Sequence, residues 1–318
     1  MLSIRNIFLL LIAIASIIGP YVALLNSTSS VSLITIEKGD SMYGVISKLV
    51  PNTALNKLFF KIHIKQNQIE SFKAGEYDIS QMTIAKSIDA FNKGDSLTRS
   101  LQINEGITIF DLDVIINNSL LINDCLNLEC LKTDYPFKEG VLYPDTYFYK
   151  KGMKASEILK ASHKILDNKL TYLWDKKPQS NMLKNKFEAL ILASIIEKEA
   201  GNHLEKKDIA GVFLKRISLG MKLQADPTII YGLLPNFDGD IKKTDILDKN
   251  NRYNTYMIKG LPPTPISIVS ITSLEAAVLG TPGDYLFFVA DTPTSHHFSK
   301  TYEEHKRMIK KIGLDKWK

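Results

Sequence analysis

The sequence predicts an α+β protein with three parts: a membrane anchor helix, a small subdomain of strand–turn–helix units and a larger mixed α/β domain. Three observations support this prediction. An uncharged apolar run lies near the N-terminus, strand–turn–helix units follow it, and beyond about residue 136 helices alternate with aromatic loops and short strands. A composition of 45% hydrophobic and 23% charged residues is ordinary for globular domains.

The N-terminal run from Ile7 to Leu25 predicts a helix that spans a membrane once. Its 19 residues carry no charge, and about 20 apolar residues are needed to cross a bilayer core. Arg5 precedes the run and a large domain follows it, so residues from about 30 onward are expected outside the membrane, away from the cytoplasm. A cleaved signal peptide is the alternative, since Ala13-Ile14-Ala15 imitates a cleavage box, but cleavage there would leave much of the apolar run attached.

Residues 31 to about 120 repeat a unit of strand, turn and helix. The clearest pair is Thr35–Ile46 and Gln102–Ile115, and the stretch between them contains a helix that Thr83 opens and Gly94 closes. In the pair, a glycine supplies the turn and a hydroxyl residue opens the helix as an N-cap. These residues are Gly39 and Ser41 in the first unit and Gly106 and Thr108 in the second. Units of this size are what a compact binding subdomain would need. The alternative is that they carry no special meaning, because strand, turn and capped helix is the commonest local arrangement in proteins.

The C-terminal part of the chain is predicted to combine helices with loops. Apolar periodicity and closing glycines predict helices near 156–174, 184–200, 205–219, 274–279 and 302–312, and a strand at 285–290. Between Gly220 and the helix at 274, we expect mostly loops and short strands.

The helix at 184–200 carries the candidate catalytic acid. It is apolar on every side from Leu190 to Ile196, which predicts burial, and it ends in two carboxylates on opposite faces, Glu197 and Glu199. Burial and the negative end of the helix dipole both raise the pKa of a carboxyl group, so an acid here could stay protonated near neutrality and donate its proton. The alternative is a solvated helix end, where the two glutamates only flank Lys198.

The loops after this helix suit a carbohydrate. Aromatic side chains can stack on sugar faces, and amides and hydroxyls can hydrogen-bond sugar hydroxyl groups. The candidate substrate-binding residues are Gln224, Asp226, Thr228, Asn254 and Tyr256. Each of them could instead fix its own loop through a hydrogen bond.

The sequence lacks the motifs that are typical of several other function classes. There is no GxSxG or HExxH motif, and His296, His297 and His305 have no patterned carboxylate beside them, so neither a metal nor another cofactor is expected. The net charge of +6 comes from lysines spread along the chain without a nucleic-acid-binding pattern, so no nucleic acid partner is expected. Cys125 and Cys130 could pair in an oxidising compartment or stay free, and the sequence leaves both open.

Six motifs, read in order, resemble a known family. They are EGVLYPDTYFY from Glu139, ASIIEKEA from Ala193, LKRISLGMKLQADPTIIYG from Leu214, YNTYMIKGLPPTPIS from Tyr253, YLFFVA from Tyr285 and HHFS from His296. With the N-terminal helix they cover nearly the whole chain, and they look like the endolytic murein transglycosylases, the YceG-like or MltG family. The resemblance implies a cytoplasmic stub and anchor over 1–30, a LysM-like subdomain over 31–100 and a transglycosylase catalytic domain over 101–318.

The resemblance also implies an activity and a location. Glu199, the second glutamate of E-K-E, would be the catalytic acid of a lytic transglycosylase that cuts the MurNAc–GlcNAc β-1,4 bond of nascent peptidoglycan, gives 1,6-anhydroMurNAc ends and terminates glycan elongation. One acid suffices, because the C6 hydroxyl of the sugar is the nucleophile. The family implies a single-pass protein of the bacterial inner membrane with a periplasmic C-terminal domain. Its expected partners are peptidoglycan glycan strands, the membrane and peptidoglycan synthases of the penicillin-binding type.

Two rival functions stay open on the sequence. The chain could be a non-catalytic glycan-binding scaffold of the cell-wall synthesis machinery. It could also be a hydrolase of the same glycan, which would need a second carboxylate beside Glu199, such as Asp226 or Glu139. The products separate the three: anhydro ends, reducing ends or no cut at all.

Overall fold

The computed structural model describes residues 4–314, without the side chains of residues 4, 5 and 7–13. The chain divides into two compact units, one formed by residues 1–100 and 148–153 and the other by residues 101–147 and 154–318. The described residues form many helices and three two-stranded sheets. The sheets pair Leu33–Ile36 with Gly75–Asp78, Arg99–Ile103 with Asp145–Tyr149 and Phe287–Thr292 with Ser295–Ser299. The predicted α+β class is therefore confirmed.

The first unit is a small αβ subdomain. Its elements are α1 (Ile4–Asn26), β1 (Leu33–Ile36), α2 (Met42–Ser47), α3 (Ala54–Gln66), β2 (Gly75–Asp78) and α4 (Ile84–Lys93). The two strands are antiparallel, with Ile36 opposite Gly75, and the core beneath them includes Phe60, Tyr77 and Phe91. The LysM-like character of residues 31–100 stays a prediction.

The predicted helix starts of the repeated units are confirmed. The hydroxyl groups of Ser41, Thr83 and Thr108 each accept a backbone N–H from the first turn of the helix that follows, which satisfies a group that the helix leaves unpaired. Gly94 closes α4 with a left-handed φ of +82°, a conformation that glycine adopts without strain. Helix α3 was not predicted.

The predicted location in the bacterial inner membrane is contradicted. Among the residues that the structure describes, no helix is long and apolar enough to cross a membrane. The predicted span 7–25 also falls partly on side chains outside the described ones. Its C-terminal end is part of the first unit: Leu25 is buried in the core, and the Tyr21 hydroxyl donates to Gln66 Oε1 at 3.1 Å. This helix end packs against α3 and α4.

Besides a short 3-10 helix at Leu126–Leu128, the second unit holds the remaining α-helices and strands. They are the end of β3 (Arg99–Ile103), α5 (Ile109–Asn117), the start of β4 (Asp145–Tyr149), α6 (Ala155–Trp174), α7 (Lys186–Glu199), α8 (Lys206–Ser218), α9 (Asp226–Leu233), α10 (Lys243–Ile246), α11 (Ile271–Leu279), β5 (Phe287–Thr292), β6 (Ser295–Ser299) and α12 (Tyr302–Lys311). The five predicted helices correspond to α6, α7, α8, α11 and α12. Helices α9 and α10 lie where loops and short strands were expected. Cys125 and Cys130 form a disulfide.

Helix α7 is the centre of the second unit. Every residue from Ala189 to Ile196 is buried, as the all-round apolar pattern predicts. It packs against α6, α8, α9 and α11. These neighbours enclose the helix along its length. Polar side chains of α7 can therefore reach a cleft or solvent only at the two ends of the helix.

Candidate active site

The last turn of α7 presents two carboxylates to different surroundings. The helix begins after Asn185, whose side chain accepts the Glu188 N–H at 2.9 Å, and ends at Glu199, before the extended residue Ala200. Glu197 and Glu199 are two residues apart, so they lie on nearly opposite sides of the helix. The structure gives partners to Glu197 but none to Glu199 among the described residues.

Glu197 is a structural carboxylate. It accepts hydrogen bonds from Lys206 Nζ at 3.2 Å and from the Ser270 backbone N–H at 2.9 Å, and the side chains of the Glu197–Lys206 pair are only 9% and 4% exposed. Burial alone would raise the pKa of Glu197, but the hydrogen bonds from Ser270 and the charge of Lys206 outweigh it, so this pKa lies below its usual value. Glu197 is therefore ionised near neutrality, and its oxygens are already occupied.

Glu199 is half-buried and unpaired. Among the residues that the structure describes, no hydrogen bond or ion pair engages its carboxyl group. Burial raises the pKa of Glu199 to about 8; the negative charge of Asp226 adds to this effect, and the positive charge of Arg216 opposes it. At neutral pH the carboxyl group is mostly protonated, which is the state from which a general acid acts.

Glu199 opens into a cleft of about 330 Å³. Of the five predicted binding residues, the structure brings Gln224, Asp226 and Tyr256 to this cleft. A larger cleft of about 770 Å³ lies along α8 and α11 and contains neither Glu199 nor any predicted binding residue. We place the candidate site at the smaller cleft, because it contains the acid at the end of α7 together with three of the predicted binding residues.

Asp226 is positioned by α9, the helix that the sequence analysis missed. It lies in the first turn of this helix and is followed by Pro227. Proline has no backbone N–H, but the first turn of a helix leaves its N–H groups without an intrahelical partner, so none is lost there. The Tyr256 hydroxyl donates to the Asp226 carboxylate at 2.7 Å. The start of α9 and the loop that carries Tyr256 are thus tied together beside Glu199.

Gln224 has an unusual backbone. Its φ is +50°, in the left-handed region that residues other than glycine rarely adopt. Its N–H donates to the Thr255 carbonyl at 3.2 Å, and its side chain is exposed at the cleft. Backbone strain of this kind is concentrated at functional sites.

Thr228 and Asn254 are not brought to the cleft. Both are fully buried. Thr228 Oγ1 donates to the Ala225 carbonyl at 2.6 Å and lies 2.9 Å from Thr255 Oγ1. The Asn254 amide donates to three backbone carbonyls within residues 245–248 at 2.9 to 3.0 Å. This geometry favours the loop-fixing alternative for these two residues, and their predicted role in substrate binding stays untested.

The sequence analysis missed Arg216 and the residues of the β5–β6 hairpin and α12 that line the cleft. The hairpin contributes Phe288, Val289, Ala290 and His296, and α12 contributes His305. A signal for Arg216 was present, because it continues the apolar face of α8 formed by Ile209, Val212 and Phe213 at helical spacing. No comparable local signal marks the hairpin residues, which reach the cleft through tertiary packing.

His296 is held in the cleft by a carboxylate. Glu205, at the start of α8, accepts the His296 backbone N–H at 2.8 Å with one oxygen and lies 2.8 Å from His296 Nδ1 with the other. A histidine whose Nδ1 faces a carboxylate is fixed in ring orientation and presents Nε2 elsewhere. His296 is thus an ordered polar group of the cleft.

Glu139, considered as a second acid on sequence grounds, lies outside the cleft. It is 4% exposed and accepts hydrogen bonds at 3.0 Å from the Ile109 N–H, the Gly140 N–H and the Tyr231 hydroxyl. Burial raises the pKa of Glu139 to about 6 in spite of these donors. Its oxygens link α5 to α9. Within residues 4–314, no group of three or more His, Cys, Asp or Glu is arranged to hold a metal ion.

Comparisons with known proteins agree on one family. A profile of the YceG-like family matches residues 34–311. An endolytic murein transglycosylase of Bacillus subtilis (strain 168) is 28% identical over 309 residues, covering 87% of this chain and 84% of the relative. One of Streptococcus pneumoniae (strain ATCC BAA-255 / R6) is 30% identical over 175 residues, which are 54% of this chain and 31% of that relative. The crystal structure of a yceG-like protein from Listeria monocytogenes matches with a TM-score of 0.57 at 28% identity, covering 87% of this chain and 98% of that one.

These matches confirm the resemblance that the six motifs indicate and the enzyme class that it implies, the lytic transglycosylases. The family profile spans the first unit from residue 34 and nearly all of the second, including the cleft with Glu199. The chain belongs to the YceG-like family.

Proposed function

We propose that this protein cleaves the β-1,4 bond between MurNAc and GlcNAc in nascent peptidoglycan strands, leaves 1,6-anhydroMurNAc ends and so terminates strand elongation. The relatives named endolytic murein transglycosylase support the substrate. The observation that carries the chemistry is Glu199, whose carboxyl group opens into a cleft, lacks an internal partner among the described residues and has a pKa of about 8.

The proposed reaction needs only this acid. Protonated Glu199 donates its proton to the GlcNAc O4 as the bond from MurNAc C1 to that oxygen breaks. The C6 hydroxyl of the same MurNAc attacks C1 and closes the anhydro ring, and the Glu199 carboxylate takes the proton that this hydroxyl loses. Glu199 ends the cycle protonated, and no water is consumed.

Three polar residues of the cleft are the proposed glycan contacts. Gln224, Asp226 and Tyr256 line it with donors and acceptors that suit sugar hydroxyls and N-acetyl groups. Residues 31–100 are proposed to add a LysM-like glycan-binding surface. Because termination acts on strands that are still being made, peptidoglycan synthases of the penicillin-binding type are the proposed partners.

A hydrolase is the second candidate, and one observation supports it. Asp226 lies in the same cleft as Glu199, so a second carboxylate is present that could activate water. Against this role, its carboxylate already accepts the Tyr256 hydroxyl at 2.7 Å. The stereochemistry and ends of the products distinguish the two reactions.

The test is mass spectrometry of the products that the full-length protein releases from uncrosslinked glycan strands. We expect anhydromuramic ends from the wild type and from Glu188→Gln, a matched change at the other end of α7, and none from Glu199→Gln. Reducing ends would establish the hydrolase, and no cut by the wild type would favour a scaffold. Full activity of Glu199→Gln would remove Glu199 from the mechanism.

A further inference from the structure

Arg216 is a buried cation in the cleft. It is 6% exposed, it lines the cleft together with Glu199, and the described residues place no carboxylate within ion-pair distance of it. Buried charges in proteins are normally paired, because removing a charge from water is costly. A buried, unpaired guanidinium beside a catalytic acid therefore calls for an explanation.

The guanidinium is fixed by neutral groups. Its Nε donates to the Leu286 carbonyl at 2.8 Å and one Nη donates to the Leu223 carbonyl at 2.6 Å, while the Phe287 ring centroid lies 5.4 Å from its Cζ. These contacts hold the group in place but leave its charge uncompensated. Since a guanidinium carries five N–H donors, further donors stay available after these two bonds.

The charge of Arg216 acts on Glu199. Burial lowers the pKa of Arg216, and the nearby Glu199 and Tyr256 counteract that effect. In the other direction, Arg216 opposes the burial that raises the pKa of Glu199. The two groups are therefore coupled across the cleft, although the distance between them exceeds that of an ion pair.

The other charged and titratable groups of the cleft come from different elements. Asp226 at the start of α9 raises the pKa of Glu199, whereas the pKa of His305 on α12 is lowered by burial, so this imidazole is neutral at pH 7. The pKa of Tyr256 is raised by burial and by Asp226, so its phenol is also neutral. His296 faces the carboxylate of Glu205. Arg216 is thus the permanent positive charge of the cleft among the described residues.

We propose that Arg216 is a positioning residue that acts through Glu199. Its positive charge stabilises the Glu199 carboxylate that forms when the proton passes to the glycosidic oxygen. In this way it keeps Glu199 strong enough to act as an acid. The inference rests on the proposed function and adds a residue to it. Without this charge, Glu199 would hold its proton more tightly and donate it more slowly.

The test measures the titration of Glu199 without relying on catalysis. Glutamates of the full-length protein are labelled with ¹³C at the side-chain carboxyl carbon and titrated by NMR, and the signal of Glu199 is identified by its loss in Glu199→Gln. The variants are Arg216→Gln and Arg216→Met, which remove the charge, Arg216→Lys, which keeps it, and Asp226→Asn, which removes a negative charge from the same cleft. Glu139, with its pKa of about 6, is the internal reference for an intact fold.

We expect the Glu199 titration to move to higher pH, by on the order of one unit, in Arg216→Gln and Arg216→Met, and to lower pH in Asp226→Asn. In Arg216→Lys it should stay closer to the wild type. The basic limb of the pH–rate profile should move in the same directions. In the neutral variants kcat at pH 7 should fall by at most about tenfold, because one pKa unit is a factor of ten in the proton-transfer equilibrium and only part of it appears in the rate. A structural role for Arg216 would change the melting temperature without moving either titration.

Two results would overturn the inference. The first is an unchanged Glu199 titration in a neutral Arg216 variant whose Glu139 signal is normal. The second is unfolding of both neutral variants, which would make Arg216 a folding residue. Failure of the proposed function looks different: the titration near pH 8 would then persist in Glu199→Gln, or that variant would cleave glycan like the wild type.

Discussion

The two carboxyl groups at the end of α7 differ in their partners and in their protonation at neutral pH. Glu197 meets Lys206 and Ser270, is ionised and is fully hydrogen-bonded, whereas Glu199 meets no partner of its own among the described residues and has a pKa of about 8. Both lie in the last turn of the same helix, where the helix dipole acts on the two groups alike. The difference between them therefore comes from what packs against each side of the helix.

The comparison separates structural acids from acids available for chemistry. A buried carboxylate that is paired and hydrogen-bonded contributes to folding, and its proton is gone at neutral pH. One that is buried without compensation keeps its proton and destabilises the fold when it ionises. Perturbed groups of the second kind cluster at active sites, which is why we place the reaction at Glu199.

Glu199→Gln should give the largest effect on activity. Loss of a general acid typically costs 10² to 10⁴ in rate, and we expect this loss in glycan cleavage assays. The free energy of unfolding at neutral pH should instead be higher in the variant than in the wild type. Because the folded-state pKa is raised to about 8 from an ordinary value of 4.5, wild-type stability falls as pH rises between these values. The variant should lack this fall in thermal melts; an identical pH dependence in both proteins would show that Glu199 is solvated.

Glu197→Gln should mainly change stability. It leaves Lys206 buried without its counter-ion, which typically costs about 3 to 5 kcal/mol in the free energy of unfolding. Since the pKa of Glu197 is lowered in the folded state, its contribution is present above the unfolded pKa and is lost as pH falls through the folded pKa. Urea titrations at neutral and acid pH measure both quantities.

The control for this prediction is the double variant Glu197→Gln, Lys206→Met. Removing both charges should recover part of the lost stability, because no unpaired charge stays buried. If Glu197→Gln proved as stable as the wild type but inactive, the roles that we assign to the two glutamates would be reversed.

Asn254→Ala should weaken the loop that carries Tyr256. Its amide donates to three backbone carbonyls, and leaving buried acceptors unsatisfied costs about 1 to 3 kcal/mol. We expect a lower melting temperature and nearly normal kcat in the folded fraction. Tyr256→Phe, which loses the hydrogen bond to Asp226, should instead keep its stability and raise KM. A raised KM at full stability in Asn254→Ala would support direct glycan binding by Asn254.

Gln224→Gly should give the smallest effect on stability. Glycine relieves the left-handed backbone at φ +50°, which is worth about 1 kcal/mol, although its extra freedom in the unfolded chain offsets part of this gain. If the Gln224 side chain binds glycan, KM should rise severalfold. Gln68→Gly is the matched control, since Gln68 has a φ of +52° and lies in the first unit. Equal KM values in both variants would leave Gln224 without a binding role.

Much of the fold could be read from local patterns in the sequence. The N-caps at Ser41, Thr83 and Thr108, the glycine stop at Gly94 and the all-round apolar run of α7 each involve only residues close together in the chain, so the sequence alone displays them. Helix α9 was missed because Asp-Pro also begins turns, although proline fits the first turn of a helix equally well. In the structure this helix packs against α7.

The acid of the cleft and three of its polar residues were predicted from the sequence, but the other residues that line it were not. The order of residues in the sequence predicts an acid at the end of a buried helix and polar residues in the loops that follow it. Tertiary packing determined that Glu197 would meet Lys206 and that Glu199 would open into the cleft. It also brought Arg216, His296 and His305 into that cleft, while Thr228 contacts the Thr255 hydroxyl and Asn254 hydrogen-bonds its own loop. The physical reason is that a pKa depends on desolvation and on charges from distant segments, and these are brought together only when the chain folds.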